Sequence, residues 1–207
     1  MTTTTIDLMR HGEPVGGRKY RGQSDDALSE KGWRQMWQAV GEFAGWEHIV
    51  SSPLSRCTAF SAALGAKLHI PVKHDARLAE VGFGAWEGLT AQQLEQAEPG
   101  IVQRFKRDPI GQRPLGAEAL DAFFARVSQA WLDILREHSG RHVLVVCHAG
   151  VIRMVLAQVL GMPPKNVYRM QIASAAVARI VVQGEGDAAF ATLMFQGGVA
   201  SGAGGGD

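Results

Sequence analysis

The most restrictive stretch of the chain is His142-Val143-Leu144-Val145-Val146-Cys147, in which five apolar residues follow one another without interruption. A strand with one face in water alternates apolar and polar residues. An unbroken run fits a strand covered on both faces, as in a parallel sheet between helical layers. The run ends at His148-Ala149-Gly150, and a helix is expected from there to about residue 160, where Gly161 and Pro163 stop it. The same order of strand then helix recurs upstream. Residues 4–9 predict a strand that breaks after Arg10-His11 at Gly12 and Pro14. Ser29 is a suitable N-cap for a helix to about residue 43, with Trp33, Met36, Trp37 and Val40 on one face. Residues 48–51 form the next strand, Pro53 opens the helix carrying Arg56 and Cys57, and a short extended piece surrounds Val72. Thr90-Ala91-Gln92-Gln93 has the form of a capping box. Residues 120–138 predict a long helix with Phe123, Phe124, Val127 and Trp131 on its apolar side. Residues 176–182 and 188–195 predict a hairpin about Gly184-Glu185-Gly186, whereas residues 95–118 give no clear element.

This order predicts an α/β fold: a single three-layer domain with a mostly parallel central sheet, helices on both faces and a small helical lid. The domain is expected over residues 1–196, with the lid at about 84–118 and a disordered glycine-rich tail at 197–207. In open α/β sheets, ligands bind beyond the carboxyl ends of the strands. Two of the strands end in histidine, His11 and His148. Around the first, Arg10 offers a permanently charged fork suited to phosphate oxygens, and Gly12, without a Cβ, would let its backbone approach a ligand. Around the second, Ala149-Gly150 opens a helix whose free amides favour an anion. The Ser-Ser-Pro turn at 51–53 would bring Arg56 to the same rim of the sheet. Glu80, between apolar residues in a glycine-bounded turn, would be a partly desolvated carboxyl able to protonate a leaving oxygen.

Other features narrow the class. A formal net charge of +1 gives no electrostatic footprint for nucleic acid or an anionic membrane, so an anion must be held by a local cluster. No apolar run approaches the length of a membrane span, and the N-terminus lacks the pattern of a secretory signal. Cys57 and Cys147 form neither a disulfide framework nor a CxxC pair, which suits a reducing cytoplasm. His48, His69, His74, His138 and His142 show no metal-site spacing, so no metal or other cofactor is expected and activity should survive EDTA. The expected partner is a small phosphorylated metabolite, and a homodimer is compatible with the chain.

Four segments together carry a resemblance. Leu8-Met9-Arg10-His11-Gly12-Glu13 resembles the RHG motif of the histidine phosphatases, the superfamily of the phosphoglycerate mutase-like enzymes. Ser51-Ser52-Pro53-Leu54-Ser55-Arg56 resembles its SSPLxR segment, Leu78-Ala79-Glu80 with Phe83-Gly84-Ala85-Trp86-Glu87-Gly88 its LxE…FGxWEG segment, and Val145-Val146-Cys147-His148-Ala149-Gly150 its VVxHxG segment. The resemblance implies phosphomonoester hydrolysis with His11 as nucleophile, carried through a phosphohistidine. It implies that Arg10, Arg56 and His148 hold the phosphoryl oxygens and that Glu80 acts as acid and then base. Residues 20–29, with Arg21 and Gly22 carried as substrate-binding positions, look most like the α-ribazole phosphatases of cobalamin synthesis. The segment Leu115-Gly116-Ala117-Glu118-Ala119 and the residues Gly17 and Pro14 depart from the wider pattern, which leaves a broad phosphatase or a phosphoglycerate mutase-type enzyme as the alternative. The basic lid residues Arg104, Lys106 and Arg107 are further candidates for reading the substrate.

One rival lies in the same segment. Cys147-His148-Ala149-Gly150-Val151-Ile152-Arg153 fits C-x5-R, the phosphate loop of cysteine-dependent phosphatases, with Cys147 as thiolate and Arg153 as clamp. Ile152 and Met154 fit that loop poorly, and the rival leaves His11, Arg56 and Glu80 without a role.

Overall fold

The computed structural model describes residues 2–198. Strands β1 (Thr3–Arg10), β2 (His48–Ser51), β3 (Val72–His74) and β4 (His142–Cys147) run parallel to one another. Strand β5 (Val177–Gln183) is antiparallel to β1 and to β6 (Phe190–Gly198), and the sheet order is β3-β2-β4-β1-β5-β6. Helices α1 (Glu30–Val40) and α2 (Ser55–Leu68) cover one face. Helices α5 (Leu120–Glu137) and α6 (Ala149–Val159) cover the other. Between them in sequence, α3 (Ala91–Ala97) and α4 (Ile101–Arg107) occupy the region expected to form a lid.

Side-chain alternation along the central strands explains the two cores. On β4, Val143, Val145 and Cys147 join the cluster under α5 and α6, while Leu144 and Val146 join the cluster under α1 and α2. Both sets are apolar because both faces are covered, which is why the run never alternates. In the second cluster Phe60 is fully buried between Trp33 and Trp37, with ring centroids 5.9 and 4.8 Å away. Burial of a side chain of that size contributes about 1.5–3 kcal/mol. In the first cluster an aromatic chain runs from Trp86 through Phe105 to Tyr168, at 5.0 and 4.8 Å, and fastens α4 to the body.

A buried carboxylate interrupts the apolar sheet. Asp7, fully buried on β1, accepts hydrogen bonds from Trp46 Nε1 (2.8 Å), His142 Nε2 (2.9 Å), Arg179 Nε (2.7 Å) and Arg179 Nη2 (2.8 Å). A buried carboxylate is tolerated only when its lone pairs are matched in this way.

Some boundaries differ from the sequence reading. Helix α1 ends at Val40, because Gly41 takes a positive φ of 54° and its N–H closes on the Trp37 carbonyl. Helix α4 lies within the span expected to form a helical lid, at positions where no individual element was assigned. Strand β6 continues through Gly197 and Gly198, two positions assigned to the tail; residues 199–207 lie outside the described residues. Among the described residues, no helix is long and apolar enough to cross a membrane.

Candidate active site

The register of three adjacent parallel strands assembles the site. Arg10 on β1 stands opposite Cys147 on β4, so the next residues, His11 and His148, leave the sheet side by side. The His11 N–H donates to the Cys147 carbonyl at 3.0 Å, and the two imidazoles meet edge to face with centroids 5.1 Å apart. On the other flank Ser51 stands opposite Val146, and the Ser52 N–H donates to the Val146 carbonyl at 2.9 Å. Three strand ends thus present His11, His148 and Ser52 in a row, which is where a doubly wound sheet offers a ligand site.

His11 Nδ1 lies 2.7 Å from the Gly12 carbonyl oxygen. A carbonyl only accepts, so Nδ1 carries the proton and the lone pair is on Nε2. Burial, followed by the fields of Arg10 and Arg56, holds the His11 pKa well below its ordinary value of 6.5. Burial, with His11, Arg56 and Arg10 beyond it, does the same to His148. Both rings are neutral. The site's positive charge resides in its guanidinium groups.

Arg56, 1% exposed, donates from Nη1 to the Ser24 carbonyl (2.6 Å) and from Nη2 to the Gly22 carbonyl (2.8 Å), which tie it to the loop at 22–24. Arg10 donates from Nη1 to the Ile172 carbonyl at 2.7 Å. Burial lowers its pKa to about 10, opposed by the Glu80 carboxylate. Glu80 also acts on Arg56. His11, His148, Arg10, Arg56 and Glu80 therefore lie within electrostatic reach of one another at these strand ends. Glu80 accepts from the Val81 N–H through Oε1 (2.9 Å) and from the Gly150 N–H through Oε2 (3.1 Å). The helix-start amide that the sequence offered to an anionic ligand is thus held by Glu80, which fixes that carboxyl against α6.

Two substrate-binding assignments take on a different meaning. Arg21 spends its guanidinium on Asp26 (Nε to Oδ2, 2.7 Å) and on the Val15 carbonyl (Nη2, 2.6 Å), while its charge still acts on His11. Gly22 serves through its carbonyl, as the acceptor for Arg56. The glycine at position 12 is also needed for a different reason than a ligand's approach. A Cβ there would lie 2.6 Å from the Gly32 carbonyl carbon of α1. Among the lid cations, Arg104 is engaged by Glu98 and by the Pro99 carbonyl.

Several supporting residues had no assigned role in the sequence. Glu87 accepts from the Gln23, Ser24 and Phe83 N–H groups and from the Ser24 hydroxyl, joining the Arg56-bearing loop contact to the Glu80 turn. Arg126 of α5 donates to the carbonyls of Arg77, Ala79 and Glu80 and pairs with Glu118 at 2.7 Å, so the turn carrying Glu80 is clamped from behind. Glu87 lay inside a quoted motif; nothing local marked Arg126.

The cysteine rival fails on position. Cys147 is fully buried as the last residue of β4, and burial pushes its thiol well above the ordinary value of 9.0. Arg153 donates from Nε to the Met170 carbonyl (2.9 Å) and stacks over Tyr168, 5.4 Å from the ring centroid. A thiol so placed has neither the ionisation nor the access that a nucleophile needs. Among the described residues there is no group of three or more His, Cys, Asp or Glu side chains placed to hold a metal ion.

The chain matches the model of the histidine phosphatase superfamily (branch 1) over residues 6–192. It is 36% identical over 192 residues to the bifunctional protein Rv2228c of Mycobacterium tuberculosis, a match covering 88% of this chain and 52% of that one. The chain thus spans about half the length of that relative. It is 30% identical over 183 residues to the probable phosphoglycerate mutase GpmB of Salmonella paratyphi A, covering 86% of this chain and 85% of the relative. A solved mycobacterial glucosyl-3-phosphoglycerate phosphatase, complexed with VO3, superposes with a TM-score of 0.83 at 27% identity, over 94% of this chain and 99% of that one. The paired histidines at neighbouring strand ends are thus set in a fold and a sequence of one lineage, and the chain belongs to the histidine phosphatase superfamily.

Proposed function

We propose that the protein is a metal-independent phosphomonoesterase that works through a phosphohistidine on His11. The observation that carries this reading is the hydrogen bond from His11 Nδ1 to the Gly12 carbonyl, which leaves Nε2 with a free lone pair beside two guanidinium groups. In the first half-reaction Nε2 attacks phosphorus, the bond from phosphorus to the alcohol oxygen breaks, and Glu80 delivers a proton to the departing oxygen. In the second, Glu80 takes a proton from water, which attacks phosphorus, and the P–N bond breaks. Arg10, Arg56 and His148 hold the equatorial oxygens, where preorganised charge does most of the catalytic work.

For the substrate we put forward α-ribazole 5'-phosphate, on the resemblance of residues 20–29. A second reading is an ester whose alcohol carries its own anion, as in the phosphoglycerate group. It is favoured by Arg113, which donates from Nη2 to the Gly82 carbonyl while Nε and Nη1 stay buried beside Tyr168 without an acceptor of regular geometry among the described residues. A cytoplasmic setting, suited to two free buried thiols, and a small-metabolite partner rather than nucleic acid or membrane complete the proposal.

The test is a turnover screen with EDTA present, over α-ribazole 5'-phosphate, phosphoglycerates and a generic aryl phosphate. Wild type and Cys147→Ala should turn over with similar kcat, and His11→Ala should be inactive. Quenched enzyme should hold phosphate that acid releases and base does not. Loss of activity in Cys147→Ala with retention in His11→Ala, or phosphate bound tightly without turnover, would overturn the reading.

A further inference from the structure

Ser52 lies outside the set of groups that meet phosphorus, yet its hydroxyl makes the closest polar contact to one of them. Ser52 Oγ is 2.6 Å from His148 Nε2, and both residues are fully buried. A neutral imidazole carries one N–H and one lone pair, and the partner of one nitrogen decides which of the two it is. The Ser52 hydroxyl accepts from the Leu54 N–H at 3.4 Å. Its own proton is therefore available to Nε2. In the other tautomer Nε2 would be the donor, and the hydroxyl proton would be left with only the Cys57 sulfur nearby, a weak acceptor. Cys57 is itself a poor rival for Nε2: its sulfur is 3.7 Å from that nitrogen and 3.6 Å from the Cys147 carbonyl.

The opposite nitrogen completes the picture. His148 Nδ1 is buried and has no hydrogen-bond partner among the described residues, while the ring stands edge to face with His11. A buried N–H without an acceptor costs free energy unless a ligand supplies one. A phosphoryl oxygen needs a donor, and a lone pair in the same place would repel it.

We propose that Ser52 is a positioning residue that donates its hydroxyl proton to His148 Nε2, fixing the Nδ1–H tautomer so that an uncharged His148 meets the phosphoryl group as a hydrogen-bond donor. This inference rests on the phosphohistidine reading of the site for its catalytic consequence, but the tautomer itself belongs to the ligand-free protein.

The experiment follows the tautomer and the rate separately. Long-range nitrogen–proton NMR correlations of His148 in the full chain should show protonated Nδ1 and unprotonated Nε2. In Ser52→Ala the Nε2–H form should become populated. Its kcat should fall by about tenfold or more, by analogy with the loss seen when partners that orient metal-ligating histidines are removed. KM should change less. The acid limb of kcat/KM should move to higher pH, because the lost donor had favoured the unprotonated nitrogen. Ser52→Thr, which keeps a hydroxyl, should recover part of the rate. Wild-type protein with protonated Nε2 would overturn the proposal even if no variant folds. So would Ser52→Ala with a lower melting temperature but an unmoved tautomer and acid limb, and so would a tautomer change in Cys57→Ala that Ser52→Ala does not share. Absence of acid-labile phosphoenzyme in the wild type would instead count against the phosphohistidine and leave the tautomer result standing.

Discussion

Glu80 shows how single atoms place the proposed acid. Its carboxyl accepts from the Gly150 N–H, and Gly150 has no side chain on the side that faces it. A Cβ at position 150 would fall on Glu80 Oε1 and 3.1 Å from the carboxyl carbon. Gly150→Ala should therefore push Glu80 off its amide while leaving His11, Arg10 and Arg56 in place. The expected result is a kcat reduced by about 10²–10⁴-fold, the usual worth of a positioned acid or base. Slow turnover of an aryl phosphate with a good leaving group should suffer least. Wild-type rates on all esters would show that Glu80 does not protonate the leaving oxygen. At this scale the sequence named candidates and was silent about engagements. His11, Arg10, Arg56, Glu80 and His148 were named by strand ends and motif order. That Arg21 would be committed to Asp26, or that Ser52 would reach His148, depends on folded neighbours with no local signature.

At the level of elements, the strands and helices that could be read were those specified by their own residues. The unbroken apolar run of β4 and the Ser29 cap of α1, whose side chain accepts from the Gly32 N–H, are local facts. Two helix starts depend on a carboxylate outside the helix it caps. The Ser55 N–H of α2 is held by Asp25 Oδ1 at 2.6 Å, and the Gly100 and Val102 N–H groups at the start of α4 by Glu95 of α3. Glu95 lies in the same stretch but acts across the turn between α3 and α4, so a helical lid was legible there while α4 itself was not. A second interaction between elements explains Gly12. Helix α1 docks on the strand exit backbone to backbone: a Cβ on Gly12 would strike the Gly32 carbonyl, and one on Gly32 would lie 2.9 Å from the Glu13 amide nitrogen. Gly12→Ala and Gly32→Ala should each cost about 1–3 kcal/mol of stability, as overpacked sites do. Urea unfolding would measure this. Two variants as stable as wild type would mean that α1 and the strand exit are not in such close contact.

Across the whole molecule, the same burial that readies the site for acid conditions weakens the fold there. His11 and His148 have folded pKa values well below the 6.5 of an exposed histidine, with burial as the leading cause. Between 6.5 and those lower values the unfolded chain binds protons that the native protein refuses, so stability falls as pH drops through this window. Asp7 acts lower on the scale and through the opposite ionisation. The Arg179 and His142 hydrogen bonds hold its pKa below 3.8 despite burial, so its contribution is complete above that value and disappears as pH falls through the folded pKa. The two effects separate in pH. Unfolding free energies from urea titrations, measured from pH 7 down to about 5, should decline with a slope of up to about 1.4 kcal/mol per pH unit for each buried histidine. His11→Asn and His148→Asn should each flatten the slope, whatever they do to stability at pH 7. Activity should behave differently over the same range, because the proposed nucleophile, His11, stays neutral: kcat/KM on folded enzyme should hold below pH 6.5 while the unfolding midpoint slides. A wild-type stability curve flat from pH 7 to 5 would contradict the buried neutral pair, and with it the enclosure that the fold builds at the ends of β1 and β4.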